Sequence, residues 1–267
     1  MKIGFIGFGE VSFTIASILL KNKSKNKANV ELYSCSENRS EKTKQLMKSI
    51  GIKDLKTIEN LFKVVDIIIS ANSPVSALKI AKTYDKNIKK IFIDFNNISP
   101  ETTNKISNII GNNFIKGSII GNIKSKEHII YLSGEKSEKI EILKDYGLNI
   151  KIVGKSPEIA SKIKILRSIY TKGVSALLVE TLNIAKSMNL EETTLNTIAI
   201  GECNNFKTKA ISRKENSLKN AKRKYEEMCE ILEYLNGFKD NSYEDIDYTM
   251  IKSIAKKFKY LNKNYEN

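Results

Sequence analysis

The sequence predicts an α/β protein: a Rossmann-type doubly wound parallel sheet followed by an all-α second domain. Three observations carry this. The first half alternates short apolar runs with amphipathic helical patterns, as a parallel sheet covered on both faces requires. Its first apolar run ends in Gly7-Phe8-Gly9 and passes straight into a helical pattern, the strand–turn–helix start of a dinucleotide-binding unit. Beyond Gly154-Lys155-Ser156-Pro157 only helical periodicity is found. A boundary there divides the chain into residues 1–154 and 155–267.

In chain order, strands are expected at Lys2–Gly7, Asn29–Ser34, Ile67–Ser70 and Ile91–Asp94, and helices at Glu10–Lys21, Glu41–Ile50, Val75–Tyr84 and Thr102–Ile110. The unbroken run Ile67-Ile68-Ile69 suits a strand buried on both faces. Further strands are expected at Asn113–Ser118, His128–Ser133 and Asn149–Val153, with a helix at Glu138–Asp145 between the last two. Pro157 suits a first helical turn, and the pattern behind it runs to about Met188. Glu191–Lys209, Asn216–Leu235 and Tyr243–Tyr260 complete the helical half.

Composition narrows the function classes. Hydrophobic residues make up 41% of the 267, enough for a sizeable core. Cys35, Cys203 and Cys229 are odd in number, scattered and without a CxxC pair, so neither a disulfide framework nor a zinc site is implied. His128 is the single histidine, which argues against a histidine triad or metal cluster and for a packing or surface role. The amino end lacks a basic leader and a small-residue cleavage site. No apolar run reaches membrane-spanning length, and a cytoplasmic protein is expected. The formal charge of +15 comes from scattered lysines without interleaved aromatics. That pattern fits a solvated surface better than a nucleic-acid platform, and a basic field attracts an anionic cofactor.

The candidate cofactor site follows from the turn Gly7-Phe8-Gly9-Glu10-Val11. Gly7 lets the chain leave the strand sharply, and Gly9 lets a pyrophosphate approach the backbone. The N–H groups of the next helix face the phosphates. Ser12 replaces the third glycine of the fingerprint and is small enough for close helix–strand packing. The second strand ends in Ser34-Cys35-Ser36-Glu37-Asn38-Arg39-Ser40, with no carboxylate at its tip. Ser36, Asn38 and Arg39 suit a 2′-phosphate, because a guanidinium makes paired charge-assisted bonds to phosphate oxygens. NADP is therefore preferred over NAD; Glu37 holding a ribose would restore NAD. Ala71, Asn72 and Ser73 follow the next strand at the carboxyl edge of the sheet, where open α/β folds bind ligands.

With these stretches in place the chain resembles the 6-phosphogluconate dehydrogenase-related, or β-hydroxyacid dehydrogenase, superfamily, most closely the subgroup with a phosphogluconate-dehydrogenase-type C-terminal domain. The matching stretches are Ile3–Ser12, the loop after Ile69, Phe92–Ile106, Phe114–Asn122 and Ala160–Glu180. The resemblance implies hydride transfer between NAD(P) and a small hydroxy acid or related carbonyl or imine compound. It assigns residues 1–154 to the dinucleotide and 155–267 to substrate and homodimerisation. In relatives a lysine on the first helix of the second domain assists catalysis; by motif this is Lys164. Lys172, two turns on, is a second candidate for the proton or for an anion. Arg167 and Ser168 stand where relatives commonly place asparagine; Arg167 suits a substrate carboxylate or phosphate, and the departure raises the alternative of a coenzyme-binding sensor without turnover. Asn97 and Gly121 match the family's substrate-binding turn and loop. Lys116 replaces a commonly acidic residue and Ile120 a commonly hydroxylated one, which suggests a substrate unlike the usual 3-hydroxy acids. For the dimer, Leu166, Ile169, Leu177, Leu178 and Leu182 supply apolar surface. The partner expected besides a second copy is a small-molecule substrate, with no metal, specific nucleic acid or membrane.

Overall fold

The computed structural model describes residues 1–22, 30–84, 89–125, 127–202, 204–237 and 247–265. They form two compact units, Met1–Lys164 and Ile165–Asn267.

The first unit is built on a sheet of eight strands: β1 (Lys2–Ile6), β2 (Glu31–Ser34), β3 (Lys53–Asp54), β4 (Ile67–Ser70), β5 (Ile91–Asp94), β6 (Phe114–Ile120), β7 (Ile129–Ser133) and β8 (Ile150–Gly154). Their spatial order is β3-β2-β1-β4-β5-β6-β7-β8. Every pairing is parallel except β6 with β7, which is antiparallel. The order reverses between β1 and β4, which opens a ligand crevice at their carboxyl ends in folds of this kind. The helices of this unit are α1 (Glu10–Lys21), α2 (Glu41–Ser49), α3 (Ile58–Val64), α4 (Pro74–Lys82), α5 (Pro100–Ile110) and the start of α6 (Glu158–Ser187).

The continuous apolar strands follow from burial on both faces. Ile67 and Ile69 join one core layer with Ile3, Phe5 and Ile15, whereas Ile68 joins the other with Ile6, Leu61 and Ile106. Edge-to-face contacts from Phe62 to Tyr84 and from Tyr84 to Phe92 add specificity to the second layer. Helix starts are set locally: Ser40, Thr57 and Ser99 each accept an N–H of the first turn.

Several expectations are corrected. β3 and α3 were not anticipated, because a two-residue polar strand carries no alternation of its own. The helix expected at Glu138–Asp145 is a 3₁₀ segment, Ser137–Lys144. Its two buried apolar residues, Ile140 and Leu143, stand three apart, which matches three residues per turn. The helix expected over Glu191–Lys209 is two helices, α7 (Glu191–Ile200) and α8 (Phe206–Lys219), interrupted at Gly201. α8 absorbs the start of the next expected helix, so α9 is Ala221–Asn236. The last helix, α10, is Thr249–Tyr265; residues 243–246 of the expected one lie outside the described residues, as does Asn29.

The second unit packs the later part of α6 with α7–α10. Its main core gathers Val179, Met228, Ile231, Ile254, Phe258 and Leu261. A smaller cluster joins Leu178 and Leu182 to Leu195 and Ala210. This separates the apolar residues expected at a dimer interface. Leu178 and Leu182 are buried in the unit's own core, and Ile169 packs against it. Leu166 and Leu177 stay exposed, and Tyr170 and Ile184 continue them as one stripe along α6. No helix among the described residues is long and apolar enough to cross a membrane.

Candidate functional site

The turn after β1 has the geometry of a phosphate elbow. Gly7 has φ +85°, and a Cβ there would lie 2.4 Å from Asn72 Oδ1 and 2.5 Å from the Ala71 carbonyl oxygen. Only glycine fits. Gly9 is the N-cap of α1 and makes no side-chain capping bond. A Cβ at Gly9 would meet nothing within 4 Å, so the space beside this N-cap is open. Phe8 is buried, and Glu10 and Val11 open α1. Ser12, in place of the third glycine, is fully buried and donates to the Gly7 carbonyl at 2.6 Å. The hydroxyl thus ties the turn to the helix, a function the sequence alone did not reveal.

Ala71, Asn72 and Ser73 follow β4 beside this elbow. The Ala71 N–H donates to the Ile6 carbonyl at 3.0 Å. The Asn72 amide donates to the same carbonyl at 2.7 Å and to Ser70 Oγ at 3.2 Å. Ser73 occupies the N-cap position of α4 without a capping bond to the helix backbone, and its hydroxyl shares a hydrogen bond with that of Ser76 at 2.8 Å.

Beneath Asn72 lies a buried polar network. Asn96 Oδ1 accepts the Asn72 backbone N–H, and its Nδ2 donates to Asp94 Oδ1 and, at 3.2 Å, to Ser70 Oγ. Lys116, 1% exposed, donates to Asp94 Oδ2 at 2.6 Å, to the Asp94 carbonyl at 3.2 Å and to the Asn96 carbonyl at 2.5 Å. Burial pulls the Lys116 ammonium below the usual lysine range, and the Asp94 charge opposes that pull. Asn97, the expected substrate contact, is exposed next to this network; Asn96 carries the connections.

At the tip of β2, Ser36 is half-buried and Asn38 has φ +55°. The Arg39 N–H donates to the Ser36 carbonyl at 3.2 Å. Arg39 Nε is buried without a hydrogen-bond partner among the described residues. A carboxylate does reach this tip, but from β3. Asp54 accepts the Ser36 N–H and hydroxyl at 3.1 and 2.8 Å, and pairs with Lys56 at 2.8 Å. Burial works against the Asp54 charge, yet the bonds from Lys56 and Ser36 outweigh it and hold the carboxyl below its ordinary range. The Lys56 carbonyl also accepts the Glu37 N–H at 2.9 Å. Asp54 and Lys56 were missed with β3 itself.

Gly121 ends β6 with φ +87°. In the loop beyond it, Lys124 pairs with Glu10 at 3.1 Å, which brings this loop to the start of α1. His128 is buried, with Nδ1 2.6 Å from the Ser125 carbonyl. It lines a cavity of about 560 Å³ with Thr14, Lys21, Lys124 and Asn149, which none of the elbow residues lines.

The helix α6 carries the remaining candidates. Lys164 is half-buried and is the last residue of the first unit; Lys162 is committed to Glu158 at 2.5 Å. Arg167 is exposed and Ser168 half-buried, and both carbonyls accept from Thr171 Oγ1. Lys172 is buried in the second unit and pairs with Glu227 at 2.6 Å, while Arg223 reaches the other Glu227 oxygen at 3.2 Å. Beside them Lys224 donates to Ser217 Oγ at 2.8 Å and lies over the Phe258 ring. Desolvation first, then the Lys172 charge, lowers Lys224 to about 8, with Arg223 and Arg213 adding and Glu227 opposing.

This has a measurable consequence. The folded pKa lies below the unfolded one, so between about pH 8 and pH 10.5 the unfolded chain binds the extra proton at Lys224. Folding stability from this group therefore rises with pH across that window. Urea midpoints of the parent and of Lys224→Met, followed from about pH 7 to about pH 10.5, should change more favourably with pH in the parent than in the variant, the difference being the share of Lys224.

Comparison with known proteins agrees with this geometry. The profile of the family described as NADP oxidoreductase, coenzyme F420-dependent, matches residues 2–98. An uncharacterized 28.5 kDa protein of Methanothermus fervidus is 38% identical over 98% of this chain and 99% of its own length. A solved conserved protein, MTH1747, described as structurally similar to 3-hydroxyacid dehydrogenases, is 38% identical with a TM-score of 0.77, covering 98% of this chain and 97% of its own. The 3-hydroxyisobutyrate dehydrogenase of Mycobacterium tuberculosis shares the fold at 10% identity, with a TM-score of 0.76 over 99% of this chain and 94% of its own. The chain thus has the NAD(P)-binding fold of the oxidoreductases. It belongs to the 6-phosphogluconate dehydrogenase-related, β-hydroxyacid dehydrogenase superfamily, in one family with the Methanothermus fervidus protein.

Proposed function

We propose that this protein is an NADP-dependent oxidoreductase that moves a hydride between the nicotinamide cofactor and a small hydroxy acid or a related carbonyl or imine compound. The observation that supports it most is the open space at Gly9 over an uncapped helix start, joined to a buried Arg39 Nε that has no partner among the described residues. A diphosphate answers the first and a 2′-phosphate the second. NADP supplies or accepts the hydride when bound. Gly7, Phe8, Gly9, Glu10 and Val11 hold the diphosphate. Ser36, Asn38 and Arg39, with Lys56, hold the 2′-phosphate. Ala71, Asn72 and Ser73 orient the nicotinamide half. Asn97, Gly121, Arg167 and Ser168 bind substrate, and Lys164 gives or takes the proton at the reacting oxygen or nitrogen. Lys172 is the less favoured proton carrier, because it is already committed to Glu227. Residues 1–154 act as the dinucleotide domain and 155–267 as the helical domain, whose exposed stripe Leu166, Tyr170, Leu177 and Ile184 pairs two copies.

Calorimetric titration with NADPH and NADH tests the coenzyme. Arg39→Ala should weaken NADPH about 10-fold or more, the worth of a charge-assisted bond, and leave NADH within about twofold. Lys164→Ala should lower kcat by about 10²-fold or more in a screen of hydroxy acids, carbonyls and imines. Binding without turnover across that screen assigns the protein as a coenzyme-binding sensor instead. Affinity for neither coenzyme ends the redox reading.

A further inference from the structure

We propose that the buried Lys116–Asp94 pair is a positioning device for the coenzyme elbow, acting through Asn96 and Asn72; the inference rests on the coenzyme reading above. Neither charged residue reaches the elbow itself. The connection runs by hydrogen bonds that leave little freedom. A lysine ammonium has three donors, and all three are used, on Asp94 Oδ2, the Asp94 carbonyl and the Asn96 carbonyl. Both Asn96 donors are likewise used, on Asp94 Oδ1 and Ser70 Oγ, which aims Asn96 Oδ1 at the Asn72 N–H. Asn72 then spends its own amide on the Ile6 carbonyl and Ser70 Oγ. Its Oδ1 is thereby left in the place that a side chain at Gly7 would take. The pair fixes Asn96, Asn96 fixes Asn72, and Asn72 fixes the turn that receives the diphosphate.

Stability alone does not account for such a pair. Desolvating two charges is costly, and apolar residues of similar volume commonly do as well or better. Phe114 and Ile115 before Lys116 on β6, and Ile91, Phe92 and Ile93 before Asp94 on β5, are apolar; the pair stands where these strands turn polar, with Ser70 and Ser133 as its register neighbours. What an apolar pair cannot do is orient Asn96. A network of this type also predicts which half of the coenzyme is affected. The elbow and Asn72 serve the diphosphate and nicotinamide half, whereas the 2′-phosphate pocket stands at the β2 tip on Ser36 and Arg39.

The test uses the full chain and two probes, NADPH and adenosine 2′-phosphate. The monophosphate carries the adenine and the 2′-phosphate but lacks the whole diphosphate–nicotinamide arm, the 5′-phosphate included. Two variants are compared: Asp94→Leu with Lys116→Met, which removes both charges together, and Asn96→Ala, which cuts the relay and leaves the pair. Each should weaken NADPH about 10-fold or more and leave the monophosphate within about twofold, a split that loss of stability does not produce. Folded variants that bind NADPH like the parent overturn the inference. Equal weakening of both probes, or failure of both variants to fold, also overturns it by assigning the network to the fold alone. A parent that binds neither probe overturns the coenzyme reading, and this inference with it; a parent that binds both confines any failure to the network.

Discussion

Replacing Gly9 by alanine is expected to remove coenzyme binding while leaving the thermal midpoint of the protein unchanged. The added Cβ meets no atom of the protein within 4 Å, and the backbone at φ −90° and ψ −161° suits any residue. On the coenzyme reading proposed above, the methyl group takes space that the diphosphate needs for its close approach to the backbone. NADPH affinity should fall about 100-fold or more, comparable to loss of two charge-assisted bonds. Gly7→Ala is the companion that separates binding from folding. Its Cβ would press on Asn72 Oδ1 and on the Ala71 carbonyl, and φ +85° costs a residue with a side chain about 1–3 kcal/mol before any clash is counted. Gly7→Ala should therefore lose both affinity and stability, and Gly9→Ala affinity alone. Calorimetry with NADPH and thermal unfolding of both variants check the pair. A Gly9→Ala protein that binds NADPH like the parent would dismiss the elbow as a phosphate site.

The two glycines were legible because they carry their own local signal: a strand, a turn that only glycine adopts, and a helix without a side-chain cap. The strands Ile67–Ser70 and Ile91–Asp94 were legible for a similar reason, since unbroken apolar runs have few alternatives to a doubly covered sheet. What failed depends on tertiary structure. Lys53–Asp54 is a strand only because β2 lies beside it, and with it Asp54 reaches Ser36 and the Lys56 carbonyl reaches the Glu37 N–H from outside the motif. The network is of the same kind. Asp94 and Lys116 stand at the ends of one register pair between β5 and β6, which sequence spacing does not show. A trace was present in Lys116 itself, a lysine within the apolar stretch Phe114-Ile115, where a charge needs a partner. Reading it only as a departure from the family pattern pointed toward the substrate, whereas its contacts lead to Asp94 and Asn96. Asn97 and Asn96 are adjacent in sequence, and only burial distinguishes the exposed one from the one that holds the turn.

The same burial makes Lys116 the position at which a single substitution should do most harm to the fold. Lys116→Met removes the ammonium and strands the Asp94 carboxylate, which is 1% exposed. Breaking one half of a buried ion pair costs about 3–5 kcal/mol, because the remaining charge is left without compensation. For a unit of this size that corresponds to a fall in Tm of about 6–20 °C. Adding Asp94→Leu to the same protein takes the stranded charge away. The double variant should regain most of the lost midpoint, although Asn96 then has one acceptor fewer. The two residues are in contact, so their effects are strongly non-additive, and a double-mutant cycle on thermal or urea midpoints measures the coupling directly. Additivity within about 0.5 kcal/mol would mean that Lys116 and Asp94 do not compensate one another, and would remove the physical basis for placing the turn under their control.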